Sequence, residues 1–187
     1  MTRFNPDLHH RHSIRLRGYD YSQEGVYYIT ICTQNRECLF GEIRNGEMVL
    51  SEAGKMIEKW WAKIGKKFPS VETDEYVVMP NHFHGIVVIV GVDPRVRPVA
   101  DVNTDEGAHM GAPLQRIIQW FKTMSTNEYI QRIKQNGWQT FPGKLLQRNY
   151  YEHIIRNEKE LDEIRQYIVN NPLQWVLDNE NPDRICL

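Results

Sequence analysis

A chain of 187 residues, 41% hydrophobic and 25% charged, is long enough for one domain with a real core and ordinary in composition for a soluble globular protein. No run approaches the roughly 18 consecutive apolar residues of a membrane span, and Met1-Thr2-Arg3-Phe4-Asn5-Pro6 is no apolar signal segment, so a cytoplasmic protein is expected. A net charge of -1 does not announce a nucleic-acid binder, and three cysteines without a C-x-x-C pair fit free thiols in a reducing compartment.

Residues 1–24 are polar, with Arg11, Arg15 and Arg17 near His9, His10 and His12, and read as a basic arm. Residues 25–175 read as a single domain and 176–187 as a tail. Gly25 to Thr33 is rich in β-branched and aromatic residues, a strand signal. Leu39–Ile43 and Glu47–Leu50 flank Arg44-Asn45-Gly46, and Asn-Gly predicts a β-hairpin. Ser51 can cap a helix running to about Lys66, with Met56, Ile57, Trp60, Trp61 and Ile64 on its apolar face. Strands are expected over Val71–Met79 and His82–Val90. Gly91, Pro94, Pro98, Gly107, Gly111 and Pro113 then break all periodicity, which predicts a mobile loop over 91–113. Leu114, Ile117, Ile118 and Phe121 step as an amphipathic helix. A strand-like segment from Leu145 to Ile155 precedes a last helix from Glu158. Asn157 is its N-cap, Glu160 completes a capping box, and Pro172 limits the far end.

The order strand, hairpin, helix, strand, strand, helix, strand, helix predicts an α+β protein. Its core is a β-α-β-β-α-β ferredoxin-like sandwich with an antiparallel sheet, plus a hairpin and a C-terminal helix. Charge is segregated along it. Residues 114–156 carry seven cations against Glu128 and Glu152, whereas seven acids face three cations from Asn157 onward. Such segregation can raise a local positive surface on a neutral molecule.

Two constellations carry chemistry. His82 and His84 are two apart on an extended strand and so share a face, with Phe83 turned away. They read either as a metal-binding pair or as two polar residues on a solvated face; apolar runs on both sides favour a central strand, where solvated histidines are less comfortable. Tyr167 and Asn171 are four apart on the last helix, at the edge of its buried stripe. They read either as packing at a core margin or as a nucleophile with an amide oxygen one turn away. Glu163 lies one turn before Tyr167, as a proton-handling group or a surface acid. Trp138, Tyr150, Tyr151 and His153 interleave with Arg148 and Arg156, a pattern suited to base stacking with phosphate contact, or to rings filling a core. No phosphate-binding glycine loop and no G-x-S-x-G turn is present.

Met79-Pro80-Asn81-His82-Phe83-His84-Gly85 resembles the His-hydrophobic-His motif of the single-tyrosine HUH transposases. Trp138, the run Gln147–Asn157 and Tyr167-Ile168-Val169-Asn170-Asn171-Pro172 resemble the downstream signature of the REP-associated tyrosine transposase branch, and Arg15–Tyr21 resembles its N-terminal stretch. The resemblance implies His82 and His84 as metal ligands, Tyr167 as nucleophile and Asn171 as third ligand. It implies Mg²⁺ or Mn²⁺ as cofactor. The implied substrate is a single-stranded DNA hairpin such as a REP-like palindrome, cut and rejoined through a 5′-phosphotyrosine by a monomer or homodimer. Arg11, Arg15, Arg17, Arg148 and Arg156 are the expected phosphate contacts. Two other readings stand beside it: a hairpin-binding protein without catalysis, and a zinc hydrolase in which another ligand such as His153 joins the histidine pair.

Overall fold

The computed structural model describes residues 24–90 and 113–182. Arg11, Arg15, Arg17 and most of the expected loop lie outside the described residues, as does Cys186. The strands are β1 (Gly25–Cys32), β2 (Gly41–Arg44), β3 (Glu47–Leu50), β4 (Val71–Val78), β5 (His82–Ile89) and β6 (Tyr151–Ile155). The helices are α1 (Glu52–Trp61), α2 (Ile64–Lys67), α3 (Pro113–Asn136) and α4 (Glu158–Asn170), with a 3-10 stretch over Asn171–Leu177. Four strands form one antiparallel sheet in the order β4-β5-β1-β6, and β2 and β3 pair apart from it. The expected ferredoxin-like sandwich is present, with the hairpin inserted after β1 and α4 added at the end. No described helix is long and apolar enough to cross a membrane.

β5 lies inside the sheet between β4 and β1 and is buried on both faces, which is why its sequence runs apolar rather than alternating. Its period of two still sorts the side chains. Phe83, Val87 and Ile89 enter the core built with Ile57 and Trp61 of α1 and Leu114, Ile117, Ile118 and Phe121 of α3. Ile86 and Val88 face the other way, onto Leu161, Ile164 and Ile168 of α4. His82 and His84 follow the phase of Ile86, so the pleat aims both imidazoles at the layer that carries Tyr167.

Gly85 sits on the crowded face. A Cβ there would lie 2.6 Å from Trp61 Cζ2 and 2.8 Å from Phe83 Cε1. Gly85→Ala is therefore expected to cost about 1–3 kcal/mol by overpacking. Urea denaturation checks this, and an unchanged midpoint would mean that the Trp61 ring gives way freely.

Local signals explain the remaining elements, with three corrections. Asn45 and Gly46 both have positive φ (53° and 80°), as the tight hairpin turn requires. Ser51 Oγ accepts from Gly54 N at 3.1 Å and donates to Leu39 O at 2.9 Å, capping α1 as expected. The helix expected to reach Lys66 instead breaks after Trp61, because Lys63 N bonds to Trp60 O three residues back and tightens the turn before α2 restarts. Asn157 Oδ1 caps α4 by accepting from Glu160 N at 3.0 Å. The Glu160 carboxylate, however, accepts from Arg156 N at 2.7 Å, one residue before the position of a true capping box. Pro172 limits α4 as expected, since the α-helix ends at Asn170, but Asn171 before it keeps helical dihedrals rather than extended ones. Pro172 itself stands in the first turn of the 3-10 stretch, where its missing N–H leaves no bond unmade.

Arg165 ties α4 to the sheet. Its Nε lies 3.2 Å from Asp74 Oδ2, at the bulge of β4 between Thr73 and Tyr76, and the Asp74 carboxyl is held below the usual carboxylate range chiefly by this guanidinium acting against burial. The tyrosine helix is thus fixed onto its own chain by an apolar stripe and one forked ion pair.

Candidate functional site

The site starts at the N-terminal end of β5, where His82 and His84 pair across β1 with Cys32 and Thr30. Both imidazoles are buried and their ring centroids are 4.5 Å apart. Hydrogen bonds on the far nitrogens fix which nitrogen each ring turns to the site. Asn81 Nδ2 donates to Arg36 O at 3.0 Å and Glu180 O at 2.6 Å, which sets its amide so that Oδ1 accepts from His82 Nδ1 at 2.9 Å. His82 therefore carries its proton on Nδ1 and turns a bare Nε2 inward. His84 Nδ1 lies 2.8 Å from Thr30 Oγ1 and 2.7 Å from Tyr28 Oη. The tautomer in which His84 Nδ1–H donates to these hydroxyls leaves His84 Nε2 bare toward the site, as metal ligation requires.

Burial, partly opposed by the Asp178 carboxylate and the Asn171 amide, pulls the His82 pKa down to about 4. His84 is held well below the ordinary value by burial and by His82 beside it. Both rings are neutral at neutral pH, the state a metal ligand needs.

Asn171 lies beside His82, whose pKa its amide acts to raise. Its backbone is still helical (φ -57°, ψ -42°), so it lies one turn beyond Tyr167, and the side chain is buried. Tyr167 is 42% exposed and packs edge-on against His84, with ring centroids 5.5 Å apart, and against Tyr28 at 6.3 Å. Burial and then the Asp178 charge push the Tyr167 pKa above its ordinary value, while hydrogen bonding with Asn171 and Tyr28 works the other way. Burial keeps the Tyr28 phenol protonated far into the alkaline range.

Three side-chain atoms here are buried without a hydrogen-bond partner: His82 Nε2, His84 Nε2 and Asn171 Oδ1. Each is a lone-pair donor, and an unsatisfied buried polar atom costs about 1–3 kcal/mol. Asp178 Oδ2 lies 3.7 Å from His82 Nε2, too long for a hydrogen bond. Donor atoms of His82, His84 and Asp178 all fall within 4.8 Å of one another, a His-His-Asp group that could hold a metal ion.

No family model matches the chain. It is 39% identical over 186 residues to an uncharacterized protein of Haemophilus influenzae, covering 95% of this chain and 96% of that one, and the two belong to one family. A solved REP-associated tyrosine transposase bound to a REP hairpin superposes with a TM-score of 0.56 at 19% identity, over 87% of this chain and 74% of its own. The chain has the fold of a REP-associated tyrosine transposase.

Within this transposase fold the expected site residues separate into three groups. His82, His84, Tyr167 and Asn171 come together. Glu163 does not join them: its side chain is 64% exposed and lies 3.7 Å from Lys159. Arg148 and Arg156 are both exposed but flank opposite ends of β6. Tyr151 pairs with Thr30 at the histidine end of the sheet, and Ile155 pairs with Val26 at the other. His153 pairs with Glu160 at 2.7 Å and is absent from the metal-capable group, where Asp178 stands instead. Of the interleaved aromatics, Trp138 and Tyr150 pack on the core, whereas Tyr151 is half exposed.

Sequence reasoning missed Asp178. It lies beyond Pro172 in a stretch that reads as an acidic tail, with no periodic relation to the tyrosine helix. The 3-10 stretch carries it back: Asp178 N bonds to Trp175 O at 3.1 Å, and Trp175 packs against His82. Asp178, Asn179 and Glu180 then form one wall of a cleft of about 410 Å³, whose other walls are Tyr28, Thr30, His84, Tyr151 and Tyr167.

Proposed function

We propose that this protein is a metal-dependent single-stranded DNA transposase that cuts and rejoins hairpin-bearing DNA through a 5′-phosphotyrosine on Tyr167. The observation that carries this reading is the set of three orphaned donors, His82 Nε2, His84 Nε2 and Asn171 Oδ1, beside a half-exposed tyrosine in an open cleft. Two imidazoles and an amide oxygen fit a divalent cation, with Asp178 as a fourth donor within reach. The expected ion is Mg²⁺ or Mn²⁺; bound there, it supplies charge neutralisation for a phosphodiester.

The chain's own residues account for the rest. The apolar stripe of α4 and the Asp74–Arg165 pair hold Tyr167 against His84 with little freedom to lose on attack. The phenol oxygen forms a bond to phosphorus as the P–O3′ bond breaks. The product is a tyrosyl 5′-phosphodiester and a 3′-hydroxyl, with the phenolic proton passing to solvent and the 3′-oxygen taking one up. Attack by a 3′-hydroxyl reverses the step, so rejoining needs no nucleotide cofactor. Burial, Asp178 and Glu180 all disfavour the phenolate, whereas Asn171 and Tyr28 favour it, so Tyr167 needs nearby positive charge to ionise near neutral pH. Tyr167 reaches the histidines of its own chain, so one copy holds a full set of site residues, and a monomer suffices.

The test is covalent capture. With hairpin-bearing single-stranded DNA and Mn²⁺, wild type should give a protein–DNA adduct that survives denaturing electrophoresis, and Tyr167→Phe should give none. Equal adduct from both proteins removes Tyr167 as nucleophile. Hairpin binding in EDTA with no cleavage of any substrate favours the binding protein without catalysis.

A further inference from the structure

We propose that the groove between α3 and residues 143–148 is a second binding site, one that takes the phosphodiester backbone of the single strand leading to the cleft. The proposal rests on the DNA reading above and adds to it a site and two residues, Lys122 and Lys144.

The groove has a volume of about 340 Å³ and is lined by Lys122, Lys144 and Arg148 with no carboxylate among its lining residues. That is unusual for this surface. The comparable hollow of about 270 Å³ beside α1 also holds cations, but there Lys55 is ion-paired with Glu52, and Lys59 and Arg132 share Glu128. Among the described residues, neither Lys144 nor Arg148 makes an ion pair. Like charges held together without a counter-charge oppose folding, and an anion relieves them.

Lys122 shows the tension most clearly. Its Nζ donates to Gln147 O at 2.5 Å and Arg148 O at 2.9 Å, so the ammonium pins the chain segment that presents Arg148. Burial and the neighbouring Lys144 pull its pKa down to about 8. On α3, Gln119, Thr123 and Asn127 add a stripe of uncharged polar side chains at four-residue spacing, exposed along one wall. The stripe covers about 12 Å at 1.5 Å per residue, room for two phosphates. Cations interleaved with hydroxyl and amide groups, without acids, suit a phosphodiester backbone rather than a base edge.

Placement gives the groove its direction. Gln147 N bonds to Cys32 O at 2.9 Å, Leu146 bridges to Thr33, and Cys32 pairs with His82. The groove therefore opens at the histidine end of the sheet. Arg148 stands three residues before Tyr151, which lines the cleft, a span of at most about 11 Å. A strand leaving the groove past Arg148 reaches Tyr151, at the wall of the cleft that Tyr167 also lines, within about two nucleotides. Arg156, at the far end of β6, has no part in this path.

The experiment is a salt titration of binding, read by fluorescence anisotropy in EDTA, with a hairpin carrying a single-stranded tail and with the same hairpin blunt-ended. Lys144→Gln/Arg148→Gln leaves Lys122 to hold the fold. The double variant should lower the slope of log K against log salt for the tailed hairpin by about 1.4, at roughly 0.7 per phosphate contact. It should leave the blunt hairpin unchanged. An unaltered slope for the tailed DNA overturns the groove, and an equal loss for both substrates moves it to the stem and overturns the single-strand assignment. The titration runs without metal, so it reads the groove whether or not Tyr167 forms an adduct; failure of the adduct with a normal slope change removes the catalytic reading and keeps the site.

Discussion

His84→Ala should bind Mn²⁺ at least about 100-fold more weakly than wild type and lose DNA cleavage by about a thousandfold, on the several kcal/mol that such a cation supplies to transition-state charge. The size follows from the arrangement. His84 Nε2 is one of only three unpartnered buried donors at the site, and its removal also frees the Thr30 and Tyr28 hydroxyls that orient the ring. Direct metal titration by electron paramagnetic resonance separates the two effects, because it needs no substrate. Thr30 and Tyr28 can still bond to each other at 3.3 Å, so the fold should survive. A variant that keeps both Mn²⁺ affinity and cleavage would place the metal centre elsewhere.

Acid lability is the second large expected effect, and its sign is fixed. The folded-state pKa of His82 is depressed to about 4, and that of His84 lies well below its ordinary 6.5. Below pH 6.5 the unfolded chain takes up protons that the folded chain refuses, so stability falls as pH falls. Between pH 6.5 and 5 His82 should cost about 1.5 kcal/mol, less than the full 1.36 kcal/mol per pH unit because the unfolded ring is only half protonated at pH 6.5, and His84 acts in the same direction. The carboxylates held low by ion pairs, such as Asp74 and Glu128, contribute stability that is lost only at lower pH, whereas Glu58, raised by burial, works in the opposite direction, so the comparison with a histidine variant isolates the imidazoles. Urea melts in EDTA at the two pH values measure it. His82→Gln/His84→Gln should flatten the dependence; the same slope in the variant and wild type would mean that the rings are solvated in the folded protein.

Local rules that need no partner were legible from residues alone. Asn45-Gly46 specifies its turn through positive φ, Ser51 and Asn157 cap their helices through their own side chains, and the alternation of β5 places His82 and His84 on one face. The four-residue step from Tyr167 to Asn171 held even though the helix changes character at Asn171, because that residue keeps helical dihedrals. Where reading along the chain went astray, either a local 3-10 turn replaced the α-helix, as after Trp61 and after Asn170, or a contact with another part of the chain had intervened. Glu160 turned to Arg156 and His153, and the acidic tail returned to the histidines.

The sequence by itself determined the order of elements, the face of each histidine and the pairing of Tyr167 with Asn171. Each depends on dihedral preference and on periods of 2.0 or 3.6 residues that act over one or two turns. Only the tertiary structure decided that the two motifs meet, 85 residues apart from His82 to Tyr167, and that Asp178 joins them. It also split Arg148 from Arg156 across the sheet and left Lys122, Lys144 and Arg148 without acids around them. Those outcomes come from sheet register, burial and solvation summed over distant segments, and no local pattern encodes such sums.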